Sequence, residues 1–247
     1  MREIRIPPGC SIGVPRQSAA QPHHYITALE TGDTTSRLLD ITVRGSRFDR
    51  LFGNFPALTK LVMNITNLQF LRTDMNSGPY ASESILSHAT SNPSFENLMR
   101  MLHAIALTLE TLEINFVDDD MHFITLVSPL TTMKEFTKLR HLKIPFEAFP
   151  SWENKPDPAL QLPPSVEKLV LTYPSASALT WLSDGAKLRY MLRNLSEICL
   201  VSYPTRGAMP AYWKIHGPPV WAELEKVGIA VRVQYVCGTP DEDQLFQ

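Results

Sequence analysis

Apolar residues recur at every second position in short runs along most of this chain. Leu142, Ile144 and Phe146 form one such run, and Leu139 stands three residues ahead of it. Alternation with a period of two predicts a short β-strand that buries one of its faces. A single strand of this length is marginally stable, so a series of them at regular spacing predicts strands that stack side by side.

The same pattern returns six more times, usually with an apolar residue three positions ahead of the run. From Leu112 onward the runs begin 27 to 33 residues apart. The last run is ambiguous because Leu224, Val227 and Ile229 also fit, and we assign the strand to the Val-Val-Tyr run that follows them. The six runs are Ile41, Val43 and Gly45; Leu61, Met63 and Ile65; Leu112, Ile114 and Phe116; Leu169, Leu171 and Tyr173; Ile198 and Leu200; and Val231, Val233 and Tyr235.

Helical spacing appears between several of these runs. A helix after Ser94 is predicted by an apolar face at a period of 3.6 residues. Shorter helices are predicted to begin at Ala178 and at Lys187, and residues 201–219, rich in proline and aromatic residues, are predicted to be a connection. A final helix around Val220 to Val227 is expected to end at Gly228, where a left-handed residue is favoured. The apolar face after Ser94 consists of Phe95, Leu98, Met99, Leu102, Ile105 and Ala106.

These patterns together predict an α/β fold. We expect a leucine-rich-repeat solenoid with a curved parallel sheet on its concave side and short helices and loops on its convex side. The predicted organisation is an irregular N-terminal segment or partial cap over residues 1–36, the solenoid over 37–236, and a flexible acidic tail over 237–247. Within the first segment, Ile4 and Ile6 alternate and could form a short edge strand.

Composition and charge narrow the class of partner. The chain has 247 residues, a formal net charge of −2 and 44% hydrophobic residues, which suits a folded protein with no affinity for nucleic acid or an anionic membrane. Three cysteines, Cys10, Cys199 and Cys237, make no pair typical of zinc or disulfide chemistry.

No apolar run is long enough to span a bilayer, and Pro7, Pro8 and Gly9 interrupt the apolar stretch that a signal peptide would need at the N-terminus. Cytoplasm or nucleus is the expected location.

Few residues offer chemistry. No nucleophile, phosphate-binding or zinc-protease motif occurs, so we expect no enzymatic activity, no cofactor and no metal. Asp118–Asp120 is interpreted as an acidic helix start, since consecutive carboxylates diverge. His23–His24 is interpreted as a solvated pair, and Cys199 lacks a neighbouring base in the sequence. The aromatic residues that close four of the runs, Phe116, Phe146, Tyr173 and Tyr235, are expected in the core.

The alternate positions of the strands are expected to line the concave face, where solenoids usually bind partners. Their charges are mixed, which favours a protein segment over nucleic acid. The predicted partner-binding residues are Lys60, Asn64, Glu113, Asn115, His141, Lys143, Lys168, Thr172, Glu197, Arg232 and Gln234. The same face includes Val62, Thr111, Val170 and Val201, and Cys199 points to it as well.

Four segments carry a family resemblance: FTKLRHLKIPF (136–146), LPPSVEKLVLTY (162–173), LRNLSEICL (192–200) and WAELEKVGIAVRV (221–233). They resemble the irregular leucine-rich-repeat regions of fungal F-box-type proteins, over roughly residues 37 to 236. The asparagine or cysteine that usually follows each strand of such repeats is replaced by Val117, Glu147, Pro174 and Tyr203. Nothing before residue 37 has the pattern of an F-box.

The leading hypothesis is therefore a protein-binding leucine-rich-repeat module of unknown partner. The resemblance implies a substrate receptor of a Skp–cullin–F-box ubiquitin ligase, with a Skp-type adaptor as partner if an F-box exists upstream. One alternative is a truncated repeat fragment without its adaptor-docking domain. Another is an enzyme whose site has no recognisable motif.

Overall fold

The fold is built on one parallel β-sheet. A computed structural model describes residues 2–6, 26–31, 56–65, 99, 102–116, 133–149, 159, 161–202 and 209–236. Eight strands lie side by side in the order in which they occur in the chain. All the pairs of neighbouring strands are parallel. The strands are β1 Arg2–Ile6, β2 Ile26–Thr31, β3 Lys60–Ile65, β4 Thr111–Phe116, β5 His141–Pro145, β6 Lys168–Thr172, β7 Glu197–Ser202 and β8 Ala230–Tyr235.

The α/β class and the parallel sheet are confirmed. The six runs from Leu61 onward each give a strand, and the last strand is the Val-Val-Tyr run rather than the alternative ending at Ile229. The alternation predicts that Phe146 and Tyr173 belong to strands, but β5 ends at Pro145 and β6 ends at Thr172. The run at 41–45 lies outside the described residues.

The N-terminal segment contributes two strands to the same sheet. β1 confirms the short edge strand expected around Ile4 and Ile6, whereas the prediction that the segment is otherwise irregular is wrong at β2. β2 pairs with β1 on one side and with β3 on the other. The proline and glycine residues of the N-terminal segment argue against a strand. Composition does not reveal the backbone hydrogen bonds that neighbouring strands provide, so β2 is not predicted from it.

A repeated arrangement leads into β3, β4, β5 and β6. The residue just before each of these strands offers its carbonyl oxygen to two successive amides of the next unit: Arg140 accepts from Glu167 and Lys168 at 2.8 and 2.9 Å. Thr59, Glu110 and Glu167 accept in the same way from the unit that follows each of them, and Ser196 before β7 accepts from the amide of Ala230 alone. The apolar residue before each of these acceptors is buried: Leu58, Leu109, Leu139, Val166 and Leu195. The sequence spacing of three therefore marks a buried turn that sets the strand register.

Helices lie on the side of the sheet that carries the core. The α-helices are α1 Ala176–Leu182, α2 Gly185–Met191 and α3 Met209–Lys226, and two short 3-10 helices span His103–Ile105 and Phe146–Ala148. The Asp184 carboxylate caps α2 by accepting from the amide of Lys187 at 3.0 Å. Gly228 follows α3 at φ +78°, which confirms the predicted left-handed termination. Of the apolar face predicted after Ser94, Met99, Leu102, Ile105 and Ala106 are buried, while Phe95 and Leu98 lie outside the described residues.

The prediction of a proline-rich connection before Val220 is wrong from Met209 onward. α3 begins there and contains Pro218 and Pro219. Trp213 is 1% exposed, and its ring stacks on that of Trp221 at 6.0 Å between centroids. Burial of these rings, together with Leu224, stabilises the helix against the loss of backbone donors at the two prolines.

The core lies between the sheet and these helices. Its sheet side consists of the inward residues of each strand, Leu142 and Ile144 among them, both fully buried. Phe146, Phe149 and Trp181 form an aromatic group in the core, with centroids 6.2 to 6.4 Å apart. Core packing is thus confirmed for Phe146 and Tyr173. It is wrong for Tyr235, which is 42% exposed at the end of the last described strand, where no further strand of the described chain covers it.

Candidate binding face

The side chains opposite the core form a surface that we call the outer face. The register aligns them in three rows across β3 to β8. The first row is Lys60, Thr111, His141, Lys168, Glu197 and Ala230. The middle row is Val62, Glu113, Lys143, Val170, Cys199 and Arg232. The last row has two parts: Asn64 and Asn115 pair on β3 and β4, and Pro145, Thr172, Val201 and Gln234 follow one another on β5 to β8.

Charged residues of neighbouring strands pair on this face. Glu197 Oε1 lies 3.3 Å from Lys168 Nζ and 3.5 Å from Arg232 Nε, so one carboxylate is shared by two cations. The Glu197 side chain is 22% exposed, which leaves it less screened than a fully solvated pair. Glu113 and Lys143 are opposite each other in the ladder, yet the described residues contain no ion pair between them.

A small apolar cluster lies within the middle and last rows. Val170, Cys199 and Val201 pack together and are separate from the main core. Thr172 beside them is 2% exposed, and its hydroxyl has no hydrogen-bond partner among the described residues. Buried apolar side chains therefore lie at the centre of the outer face, and the charged side chains surround them.

Burial shifts the pKa of two groups on the outer face. Burial lowers the pKa of His141 below its usual value of 6.5; the carboxylate of Glu113 opposes this shift and the ammonium of Lys168 reinforces it. His141 is therefore neutral at pH 7. Burial also raises the pKa of the Cys199 thiol, with Lys168 acting in the opposite direction. A protonated thiol is a poor nucleophile, which agrees with the absence of a catalytic assignment for Cys199.

Most of the predicted contact residues lie together on the outer face. Lys60, Glu113, Asn115, His141, Lys143, Lys168 and Glu197 are partly exposed, and Arg232 and Gln234 are exposed. Thr172 is the exception, because it is buried between its ladder partners Pro145 and Val201 and offers almost no surface to a partner. Asn64 occupies the expected ladder position, and its side chain is outside the described part.

Sequence reasoning missed the apolar cluster as a unit. The signal was present, since Val170 and Val201 break the polar alternation of their strands by placing apolar residues on both faces. What the sequence lacked was the register, which brings Val170 opposite Cys199 and Thr172 opposite Val201. Register is fixed by the turns and the core, not by the outer residues.

Other candidate chemistry is absent from the described residues. They contain no cluster of three or more histidine, cysteine or acidic side chains able to hold a metal ion. His103 Nδ1 lies 2.6 Å from Glu135 Oε2 on an exposed surface. Asp118–Asp120, His23–His24, Cys10 and Cys237 lie outside the described ranges. No described helix is both long enough and apolar enough to cross a membrane.

Comparison with known proteins adds no relative. No protein-family profile matches the chain, and neither the curated proteins nor the solved structures yield a similar chain.

Proposed function

We propose that this chain is a leucine-rich-repeat-type solenoid that binds a protein segment on its outer face. Support comes from parallel strands that follow one another in chain order, with the same buried turn before β3, β4, β5 and β6. Stacking of that kind is typical of repeat proteins, in which each unit contacts its neighbours and leaves one face of the sheet free of helices. Such proteins use that face for partners.

The arrangement of the outer face carries the proposal. Its rows place charged side chains around the apolar cluster of Val170, Cys199 and Val201. Side chains of both charge signs, mixed with polar ones, suit contact with a protein segment rather than with nucleic acid. The strands also hold these side chains at fixed spacing, so a partner meets a surface that needs little ordering on binding.

Site-specific photo-crosslinking tests the proposal. A benzoylphenylalanine placed at Glu113, a partly exposed residue of the middle row, reports on the outer face, and the same residue at Lys138, exposed in the turn before β5, serves as the control. Expression of the chain in the cells it comes from, followed by irradiation, should give a discrete protein adduct at position 113 and not at position 138. Equal labelling at the two positions, or none at 113, would exclude the outer face as a binding surface.

A ubiquitin-ligase role is a narrower proposal that rests on the resemblance of the repeat segments. It requires a Skp-type adaptor to bind the chain. Co-purification of the tagged chain from cells, with mass spectrometry of the eluate, should then recover the adaptor. An eluate that holds an outer-face partner and no adaptor would reject the ligase role and keep the binding module.

A further inference from the structure

We propose that the bound segment is an extended peptide with two acidic residues four positions apart. The inference rests on the proposed function and specifies the chemistry of its partner. Lys143 and Arg232 are the two cations that receive the carboxylates.

The charge of the outer face differs in sign from that of the chain. Lys60, Lys143, Lys168 and Arg232 stand against Glu113 and Glu197 on β3 to β8, which gives this surface a net charge of +2 with His141 neutral. The whole chain has a net charge of −2. A surface whose sign opposes the bulk charge attracts a segment of complementary charge and favours its approach.

Lys143 and Arg232 are the cations best placed for a partner. Lys168 is held by Glu197, whereas Lys143 takes part in no ion pair within the described chain. Arg232 shares Glu197 with Lys168, and its side chain is 69% exposed. Its guanidinium has donors beyond the one that faces Glu197, and these are free to receive a second carboxylate in a planar geometry.

The register fixes the distance between these two cations. Lys143, Val170, Cys199 and Arg232 are successive members of the middle row, so Lys143 and Arg232 stand three strand spacings apart. At about 4.8 Å per strand the separation of their backbones is roughly 14 Å. An extended peptide that crosses the strands covers this distance in about four residues, at about 3.3 Å each.

An extended peptide also presents both carboxylates to the same surface. Side chains at positions i and i+4 point to the same side of an extended chain. Residue i+2 lies over Val170 and Cys199, which are only 7% and 4% exposed, so the two charge contacts supply the affinity.

Peptide binding to the full chain tests the inference. The probe is a fluorescein-labelled nonapeptide with Glu-Thr-Val-Thr-Glu at its centre, measured by fluorescence anisotropy at low ionic strength. Two control probes carry Lys-Thr-Val-Thr-Lys and the rearranged Glu-Glu-Thr-Thr-Val. We expect the first probe to bind at least about tenfold more tightly than either control and to weaken as salt is added.

Protein variants locate the contact. Lys143→Glu and Arg232→Glu should each reduce affinity for the acidic probe at least about tenfold, and the milder Lys143→Gln should reduce it in the same direction. Lys138→Glu makes the same charge change off the outer face and should alter affinity less than about twofold. Circular dichroism and thermal unfolding of each variant establish that the fold is retained.

Two results would overturn the inference. One is equal affinity for the acidic and basic probes; the other is equal loss from Lys138→Glu and Lys143→Glu. Failure here is separable from failure of the proposed function. A specific crosslink at position 113 to a partner segment without the spaced acidic pair leaves the binding module standing and removes only the acidic motif.

Discussion

The guanidinium of Arg189 in α2 donates from Nη2 to the backbone carbonyl oxygen of Gly228 at 2.7 Å, across 39 positions of sequence. Its Nε donates to the carbonyl oxygen of Val227, also at 2.7 Å, and its Nη1 to that of Arg193 at 2.8 Å. One side chain therefore donates hydrogen bonds to two carbonyl oxygens just after α3, where the helix provides no donors. It also ties α2 to the turn that leads into β8.

Replacing Arg189 should loosen this junction. Arg189→Ala is expected to lower the free energy of unfolding by about 1–3 kcal/mol, because charge-assisted bonds to backbone oxygens are lost. Arg189→Lys should recover only part of the loss, since an ammonium cannot reproduce the fork that reaches two carbonyls together. Urea unfolding measures both, and Arg193→Ala, at an exposed residue just after α2, is the control. Full recovery by lysine would contradict the forked contact.

The opposite faces of β5 should respond differently to the same charge. Leu142 is fully buried and Lys143 lies on the outer face. Leu142→Asp should cost several kcal/mol, a large share of a stability of about 5–15 kcal/mol, because an unpaired carboxylate enters the core. Lys143→Asp should change stability by less than about 1 kcal/mol. Thermal unfolding compares the two, and similar melting temperatures would show that the strand faces are assigned wrongly.

Gly217 is predicted to resist substitution even by a better helix former. A Cβ atom there would stand 2.7 Å from Cε2, Cζ2 and Nε1 of Trp221, inside contact distance. Alanine favours a helix over glycine by about 1 kcal/mol, yet Gly217→Ala should destabilise the chain by about 1–3 kcal/mol through this overlap. Chemical unfolding gives the energy, and near-ultraviolet circular dichroism reports the stacked tryptophans.

Removal of the Trp221 ring provides the control for Gly217. In a Trp221→Leu background the overlap is relieved, so the added Gly217→Ala change should be neutral or stabilising there. A stabilising effect of Gly217→Ala in the native chain would show that the Trp221 ring does not limit this position.

His141 should make stability depend on pH in a defined direction. Burial lowers its pKa in the folded chain; Lys168 and Lys60 act in the same direction, and Glu113 and Glu197 oppose them. The unfolded chain therefore binds the proton first as the pH falls. The histidine costs almost no stability well above pH 6.5 and destabilises the fold progressively as the pH falls through that value, until the folded group also protonates.

Substitution of His141 isolates this contribution. His141→Gln should gain stability relative to the native chain between about pH 7.5 and about pH 5.5, since glutamine does not titrate. Melting temperatures of the two proteins at both pH values give the difference directly, and the remaining histidines cancel. A difference that stays constant with pH would contradict the lowered pKa.

The strands from Leu61 onward are predictable because alternation and burial act locally. Leu112 and Ile114, or Leu169 and Leu171, must face one side once the backbone is extended, and the leading apolar residue fixes the entry turn. The assignment of Lys143 and His141 to the outer face follows from the same parity. The ends of strands are less predictable, as Phe146 and Tyr173 show, because the turns after β5 and β6 are set by local backbone geometry. Tyr173 lies at φ +54° and donates its amide to Val201 at 3.0 Å.

The helix through Pro218 and Pro219 shows what local patterns miss. Both prolines predict an interruption, and only the packing of Trp213 and Trp221 against the sheet and its helices outweighs that preference. Tyr235 gives the converse case: its parity predicts burial, but burial requires a neighbour that covers it. Both outcomes depend on contacts between residues far apart in sequence.

Alternation along the chain specifies the strands β3 to β8, their inward residues and the side chains opposite the core, because it depends only on backbone geometry. Which of those side chains are neighbours depends on the tertiary structure. Register places Lys143 and Arg232 in one row with Val170 and Cys199 between them. That register results from the buried turns and the core packing of every unit, so no single segment of sequence contains it.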